Sequence, residues 1–260
     1  MKIVLKRKQC YTTDEPWNTA MQHIEELISE GECEAYAKQA IARIRKATDG
    51  KKAAYAWSGG KDSLVLADLC QRAGVTDCGL FLTRLEFPAF EKWLLDHKPD
   101  GCKVIRREFD LDYLAEHQEL IFPRGKEMQR WNVIMQRGSQ LRYYHEEHLD
   151  ILLTGHRVID GNTCGKEGFT CRKSGETIYA PIYDWPHEAV LGYIHYHGIE
   201  MPMIYSWPKG WRNGTHFWPY RNCESRADGW KEVYEIDPAV VRAAAEKIPE
   251  AKAFLEGVGA

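Results

Sequence analysis

No stretch of the 260-residue chain approaches the roughly eighteen apolar residues that a membrane-crossing helix needs. A strong excess of acidic or basic residues is lacking too. Lys and Arg number 35 against 38 Asp and Glu, and the net charge of −3 gives no global field toward nucleic acid or an anionic membrane. The N-terminus MKIVLKRKQC lacks the apolar centre of an export signal. No C-x-x-C pair occurs among the eight cysteines (Cys10, Cys33, Cys70, Cys78, Cys102, Cys164, Cys171 and Cys223), and without an export signal their even count does not make a disulfide framework. Internal repeats and low-complexity linkers are absent. With 44% hydrophobic and 28% charged residues, the expectation is a soluble, cytoplasmic globular protein with no membrane partner.

The most informative stretch present is AYAWSGGKDS, residues 54–63. Ala53 to Trp57 reads as a buried strand. After Ser58-Gly59-Gly60-Lys61-Asp62-Ser63, a mostly apolar helix runs through Leu64, Val65, Ala67, Leu69 and Cys70 to Gly74. Strand, glycine turn and helix form a phosphate cradle: glycines let the backbone approach an oxyanion, and the helix N-terminus presents N–H groups and a positive dipole. Ser58 and Ser63 add hydroxyl donors and Lys61 a point charge. The turn is tighter than a Walker A loop, because the second glycine precedes the lysine directly. A plain βα turn with a surface lysine would explain the glycines but not the flanking serines.

Apolar spacing predicts a helical preface over residues 1–50. One helix starts at Asp14-Pro16, carries Trp17, Ala20, Met21, Ile24, Leu27 and Ile28, and stops at Gly31; a second carries Tyr36, Ala37, Ala40, Ile41, Ile44 and Ala47. Both faces suit a core or a homodimer contact. Strands are then expected at 53–57, 78–83, near 103–107, at 150–154 and near 178–180. Helices are expected at 61–73, from Pro88, near 110–118, over 126–148 and from Pro186, with an aperiodic loop at 160–177. Alternation of this kind argues an α/β fold with a mostly parallel sheet and ligands at the carboxyl ends of its strands. Residues 51–200 are the expected nucleotide-binding domain. Residues 201–260 are expected to form an irregular extension rich in tryptophan, closed by one helix from Asp237-Pro238.

SGGKDS resembles the PP-loop of the ATP pyrophosphatase superfamily. Leu85-Glu86-Phe87-Pro88, then Thr154-Gly155-His156-Arg157 with Asp160, then Pro181-Ile182-Tyr183-Asp184-Trp185 and Pro202 to Tyr205 are similar to its branch containing phosphoadenylyl-sulfate (PAPS) reductase and the ATP sulfurylase small subunit. The resemblance covers about residues 50–210. It implies a Rossmann-like sheet, ATP or PAPS as the nucleotide, and Mg²⁺ with ATP. It makes Ser58, Gly59, Gly60, Lys61, Asp62 and Ser63 the pyrophosphate cradle, with Gly155 and Arg157 on the phosphate side and Phe81 and Leu82 flanking the adenine. Lys61 and Arg157 become candidate catalytic residues. Ordinary core is an equal reading of Phe81 and Leu82, a surface arginine is the alternative for Arg157, and Asp62 serves equally to orient Lys61, to hold Mg²⁺ or to favour the helix dipole.

The chain departs from the reductases at its C-terminal side. In place of an E-C-G-L-H-like segment it has Arg221-Asn222-Cys223-Glu224-Ser225. Cys223 is a candidate nucleophile, and its use would call for a thioredoxin-like donor. Cys164, Cys171 and Cys223 are irregularly spaced, which argues against an iron–sulfur cluster. The segment Lys209 to Arg221, KGWRNGTHFWPYR, fits a packing lid better than a nucleic-acid surface. Arg137 and Arg142 are further anion-facing candidates, although a solvated helix face is the default for both. Adenylyl transfer from ATP to an acceptor, with pyrophosphate released, is the leading expectation. PAPS reduction through Cys223, ATP-dependent thiolation of nucleic acid and a non-catalytic nucleotide sensor are the alternatives.

Overall fold

The computed structural model describes residues 5–259, apart from the side chains of Gln9, Met135, Gln136 and Arg137. Its centre is a six-stranded sheet ordered β3-β2-β1-β4-β6-β5. The strands are β1 (Ala53–Trp57), β2 (Cys78–Leu82), β3 (Lys103–Arg106), β4 (Ile151–Leu153), β5 (Phe169–Cys171) and β6 (Thr177–Tyr179). All neighbouring pairs are parallel except β5–β6. The fold is therefore the expected Rossmann-like α/β architecture. Strand order reverses between β2-β1 and β1-β4, and crevices for ligands form at such switch points.

Alternation along the strands divides the core. Ala54, Leu152 and Ile178 face one way, in a cluster with Tyr143, Tyr144 and Leu149. Tyr55, Trp57, Ile151, Leu153 and Tyr179 face the other way, into the main core. Helix α3 (Glu30–Thr48) buries Ala37, Ala40 and Ile44 and packs on α4 (Lys61–Ala73) and α9 (His187–Tyr196). The apolar face that suited either a core or a dimer is thus used within the chain.

Other helices are α1 (Glu15–Gln22), α2 (Ile24–Leu27), α5 (Pro88–His97), α6 (Leu111–Glu116), α7 (Lys126–Asn132) and α8 (Leu141–Glu146), followed after the sheet by α10 (Gly210–Asn213), α11 (Arg226–Ile236), α12 (Pro238–Ala245) and α13 (Pro249–Val258).

Several boundaries differ from expectation. Gly31 does not stop a helix; it lies in the first turn of α3, which begins at a capping box formed by Ser29 and Glu32. The loop expected at 160–177 contains β5, whose antiparallel pairing with β6 is too short to show a period. The helix expected over 126–148 is interrupted by a π-helical stretch, Val133–Gln140. The single closing helix is a pair, α12 and α13, and α11 precedes them inside the segment expected to be irregular.

Candidate active site

The loop after β1 is built by close contacts. Gly59 has φ +69°, and a Cβ there would lie 2.4 Å from Leu94 Cδ2 and 3.0 Å from Trp93 Cζ3, so both the backbone angle and the packing of α5 demand glycine. The Ser58 N–H donates to Ser63 Oγ at 3.1 Å, and Ser63 Oγ donates to the Gly60 carbonyl at 2.9 Å, folding the loop back on the first turn of α4. Among the described residues none accepts from the Gly59 or Gly60 N–H. The Lys61 N–H donates to the Tyr205 hydroxyl at 2.7 Å, bringing the segment after α9 onto the helix N-terminus.

Lys61 and Arg157 are both fully buried. Lys61 Nζ donates to Asp62 Oδ2 at 2.6 Å and lies 3.9 Å from Asp160 Oδ2. Arg157 donates through Nε to Asp62 Oδ1 at 2.8 Å, pairs with Asp160 Oδ2 at 2.8 Å, and donates to the Trp185 carbonyl at 3.1 Å. Two cations and two carboxylates thus neutralise one another behind the loop. Burial, reinforced by Arg157 and opposed by Asp62, brings the Lys61 ammonium down to about 8. Burial would raise Asp62, but Arg157, Lys61 and Lys8 together hold it well below the usual carboxylate range. His187 is 3.1 Å from an Arg157 nitrogen through Nδ1; burial first, then Arg157 and Lys61, lower it to about 3. It is therefore neutral, accepts at Nδ1, and carries its proton on Nε2, which has no partner.

In front of this quartet lies a cavity of about 350 Å³ at the carboxyl ends of β1 and β4. Ser58, Gly60, Asp62, Ser63, Gly155 and Asp160 form its inner wall. Ala56, Trp57, Phe81, Glu86, Asn132 and Gln140 form a second wall. Lys8, Tyr205, Thr215, His216, Phe217 and Tyr220 close the third. Burial raises the Glu86 carboxyl against the hydrogen bonds it accepts from Thr83 N–H at 2.9 Å and Thr83 Oγ1 at 2.5 Å. His216 is lowered by burial and by Lys8, and its Nδ1 has no partner.

Among the residues singled out from the sequence, Ser58, Gly60, Asp62, Ser63, Phe81 and Gly155 reach the cavity wall. Gly59, Lys61, Leu82, Arg157 and Cys223 do not. Lys61 and Arg157 act on the cavity through Asp62 and Asp160 instead. Cys223 is buried, with its thiol 4.0 Å from Glu232 Oε2; burial and that carboxylate push it up to about 12. Arg142 pairs with Glu146 at 2.5 Å on the surface, and the Arg137 side chain is outside the described residues.

The Lys209–Arg221 segment is a packing lid. Trp211 stacks on Trp17 of α1 at 5.3 Å and meets Tyr205 at 4.7 Å, while Arg221 is buried against Glu232. Sequence reasoning missed Lys8, Asn132 and Gln140, which come from distant segments with no shared spacing, and it read the segment of His216 and Tyr220 as packing without placing the two on a cavity wall. Asp160 carried a signal, since it lies one helical turn beyond Arg157.

A parallel sheet whose first strand feeds a serine–glycine turn into a helix N-terminus, below a cavity at the switch point, defines a nucleotide-binding fold of the PP-loop class. The chain belongs to the phosphoadenosine phosphosulfate reductase domain family, which matches residues 52–208. No curated protein matches the chain. Among solved structures it is similar to the crystal structure of phosphoadenylyl-sulfate (PAPS) reductase from Candida auris in its phosphate complex. That likeness has 16% identity and a TM-score of 0.49, over 69% of this chain and 92% of the other.

Proposed function

We propose that the chain binds ATP in this cavity and transfers its adenylyl group to an acceptor, releasing pyrophosphate. One observation carries the proposal: the unspent Gly60 amide and the Ser58 and Ser63 hydroxyls stand at the anion end of a cavity with no thiol in its described walls. The amide and the α4 N-terminus stabilise negative charge on the departing pyrophosphate. An acceptor oxygen attacks the α-phosphorus, the bond to the bridging oxygen breaks, and the electron pair leaves with pyrophosphate. Lys61 and Arg157 fix Asp62 and Asp160 so that the loop is preorganised. Phe81 with Asn132 and Gln140 offers an apolar face and amide edges suited to a base. Mg²⁺ arriving with the triphosphate would meet Asp160 Oδ1, a buried carboxylate oxygen without a hydrogen bond. Its chemistry there would be charge neutralisation.

PAPS reduction through Cys223 is the competing reaction within the family. The raised thiol and its position outside the cavity wall weigh against it. Calorimetric titration under reducing conditions with Mg²⁺, using ATP and PAPS separately, decides between them. ATP should bind more tightly than PAPS, and labelled pyrophosphate should exchange into ATP once the acceptor is supplied. Preference for PAPS, with dithiol-dependent sulfite release lost in Cys223→Ser, would overturn the proposal.

A further inference from the structure

We infer that Lys8, from the segment before α1 and outside the family-matched residues, is the cation that contacts the bound anion directly. The inference rests on nucleotide binding at the Ser58–Ser63 loop and names the charge that loop otherwise lacks. Lys61 and Arg157 cannot supply it as they stand, because both are fully buried and engaged by Asp62 and Asp160. The cavity wall contains Lys8 but neither of those two cations. Among the described residues Lys8 Nζ forms no hydrogen bond or ion pair, and its charge acts on Asp62 only from a distance. An ammonium on a half-buried side chain, with no hydrogen-bonded or ion-paired partner and only the more distant field of Asp62, at the wall of a polar cavity, is an arrangement that an incoming anion would satisfy.

Its position agrees with that role. A Cβ at Gly214 would lie 3.9 Å from Lys8 Nζ, which places the ammonium beside the 213–216 turn. On the same turn, Thr215 Cγ2 would be 2.9 Å from a Cβ at Gly60, so this turn sits directly over the phosphate loop. His216, lowered by Lys8 among other causes, stays neutral and does not compete for the anion's charge. The bound group therefore lies between Gly60 of the loop below and the Lys8 ammonium above. The chemistry recognised is a phosphate or sulfate oxygen carried on a nucleoside, and the N-terminal segment is part of the binding site rather than a preface to it.

Titration of wild type, Lys8→Ala and Lys8→Arg with ATP, inorganic pyrophosphate and adenosine tests this. Lys8→Ala should weaken ATP and pyrophosphate about ten-fold or more, the loss of one charge-assisted hydrogen bond, and leave adenosine unchanged. Lys8→Arg should recover most of the affinity. Unchanged ATP and pyrophosphate affinity in Lys8→Ala would overturn the Lys8 inference while leaving nucleotide binding intact. An equal loss for adenosine would also overturn it, by showing a structural role. Failure of the wild type to bind any of the three would instead overturn nucleotide binding itself.

Discussion

At the residue scale, the chemistry-bearing side chains divide into those that face the ligand space and those that hold them. The turn made by the loop serines and glycines between β1 and α4 was legible because strand, small residues and helix leave few other arrangements for that composition. The orientation of Lys61 and Arg157 was not legible, since sequence spacing does not show that Asp62 and Asp160 would take up their charge. Arg157→Ala should show how strongly the quartet is coupled to the fold. Removing the guanidinium leaves two carboxylates, 21% and 8% exposed, with Lys61 as their remaining cation. Breaking such a buried pair costs about 3–5 kcal/mol. Urea unfolding should therefore give an unfolding free energy lower by that amount, read as a lower midpoint at unchanged slope, and adding Asp160→Asn should restore part of it. A wild-type midpoint in Arg157→Ala would mean that the carboxylates are solvated rather than held by charge.

At the element scale, α4 spans Lys61–Ala73, the range its apolar spacing and the Gly74 stop predicted. Pro88 likewise opens α5. Elements marked by a period or a capping residue were readable, whereas three-residue β5 and the π-helical stretch carry no period long enough to detect. Gly31 misled because glycine is a common helix stop, while the Ser29 and Glu32 capping box three residues apart was the stronger signal. The β1–loop–α4 unit is locked to α5 at Gly59. Gly59→Ala must therefore both strain a positive φ and push Leu94 aside. It should cost about 1–3 kcal/mol of stability and weaken ATP binding by displacing the amides. Measured melting and ATP affinity should fall together. A loss of affinity with unchanged melting would place the effect in direct ligand contact instead of loop geometry.

At the scale of the whole molecule, the three spans expected from the sequence, 1–50, 51–200 and 201–260, contribute to one continuous hydrophobic cluster. It includes Trp17, Ala37 and Ile44 from the first, Leu66, Leu69 and Ile194 from the second, and Trp211, Trp230 and Val241 from the third. Periodicity located these apolar faces but not their partners, because pairing between distant segments is a property of the fold. The cavity has the same composite origin, with walls drawn from Lys8, the Ser58–Ser63 loop and the 205–220 segment. Three physical consequences follow if 51–200 is cut out: α4 and α9 lose their cover from α3, Lys61 N–H loses the Tyr205 hydroxyl, and the cavity loses its third wall. Exposing apolar surface removes stabilisation of about 25 cal/mol per Å², so about 200–600 Å² of uncovered core cancels the about 5–15 kcal/mol by which a domain is stable. Residues 51–200 expressed alone should therefore lack a cooperative thermal transition and should not bind ATP, whereas the full chain should do both. A cooperatively melting fragment that binds ATP would make residues 51–200 an autonomous domain and would remove Lys8 and the lid from the essential site.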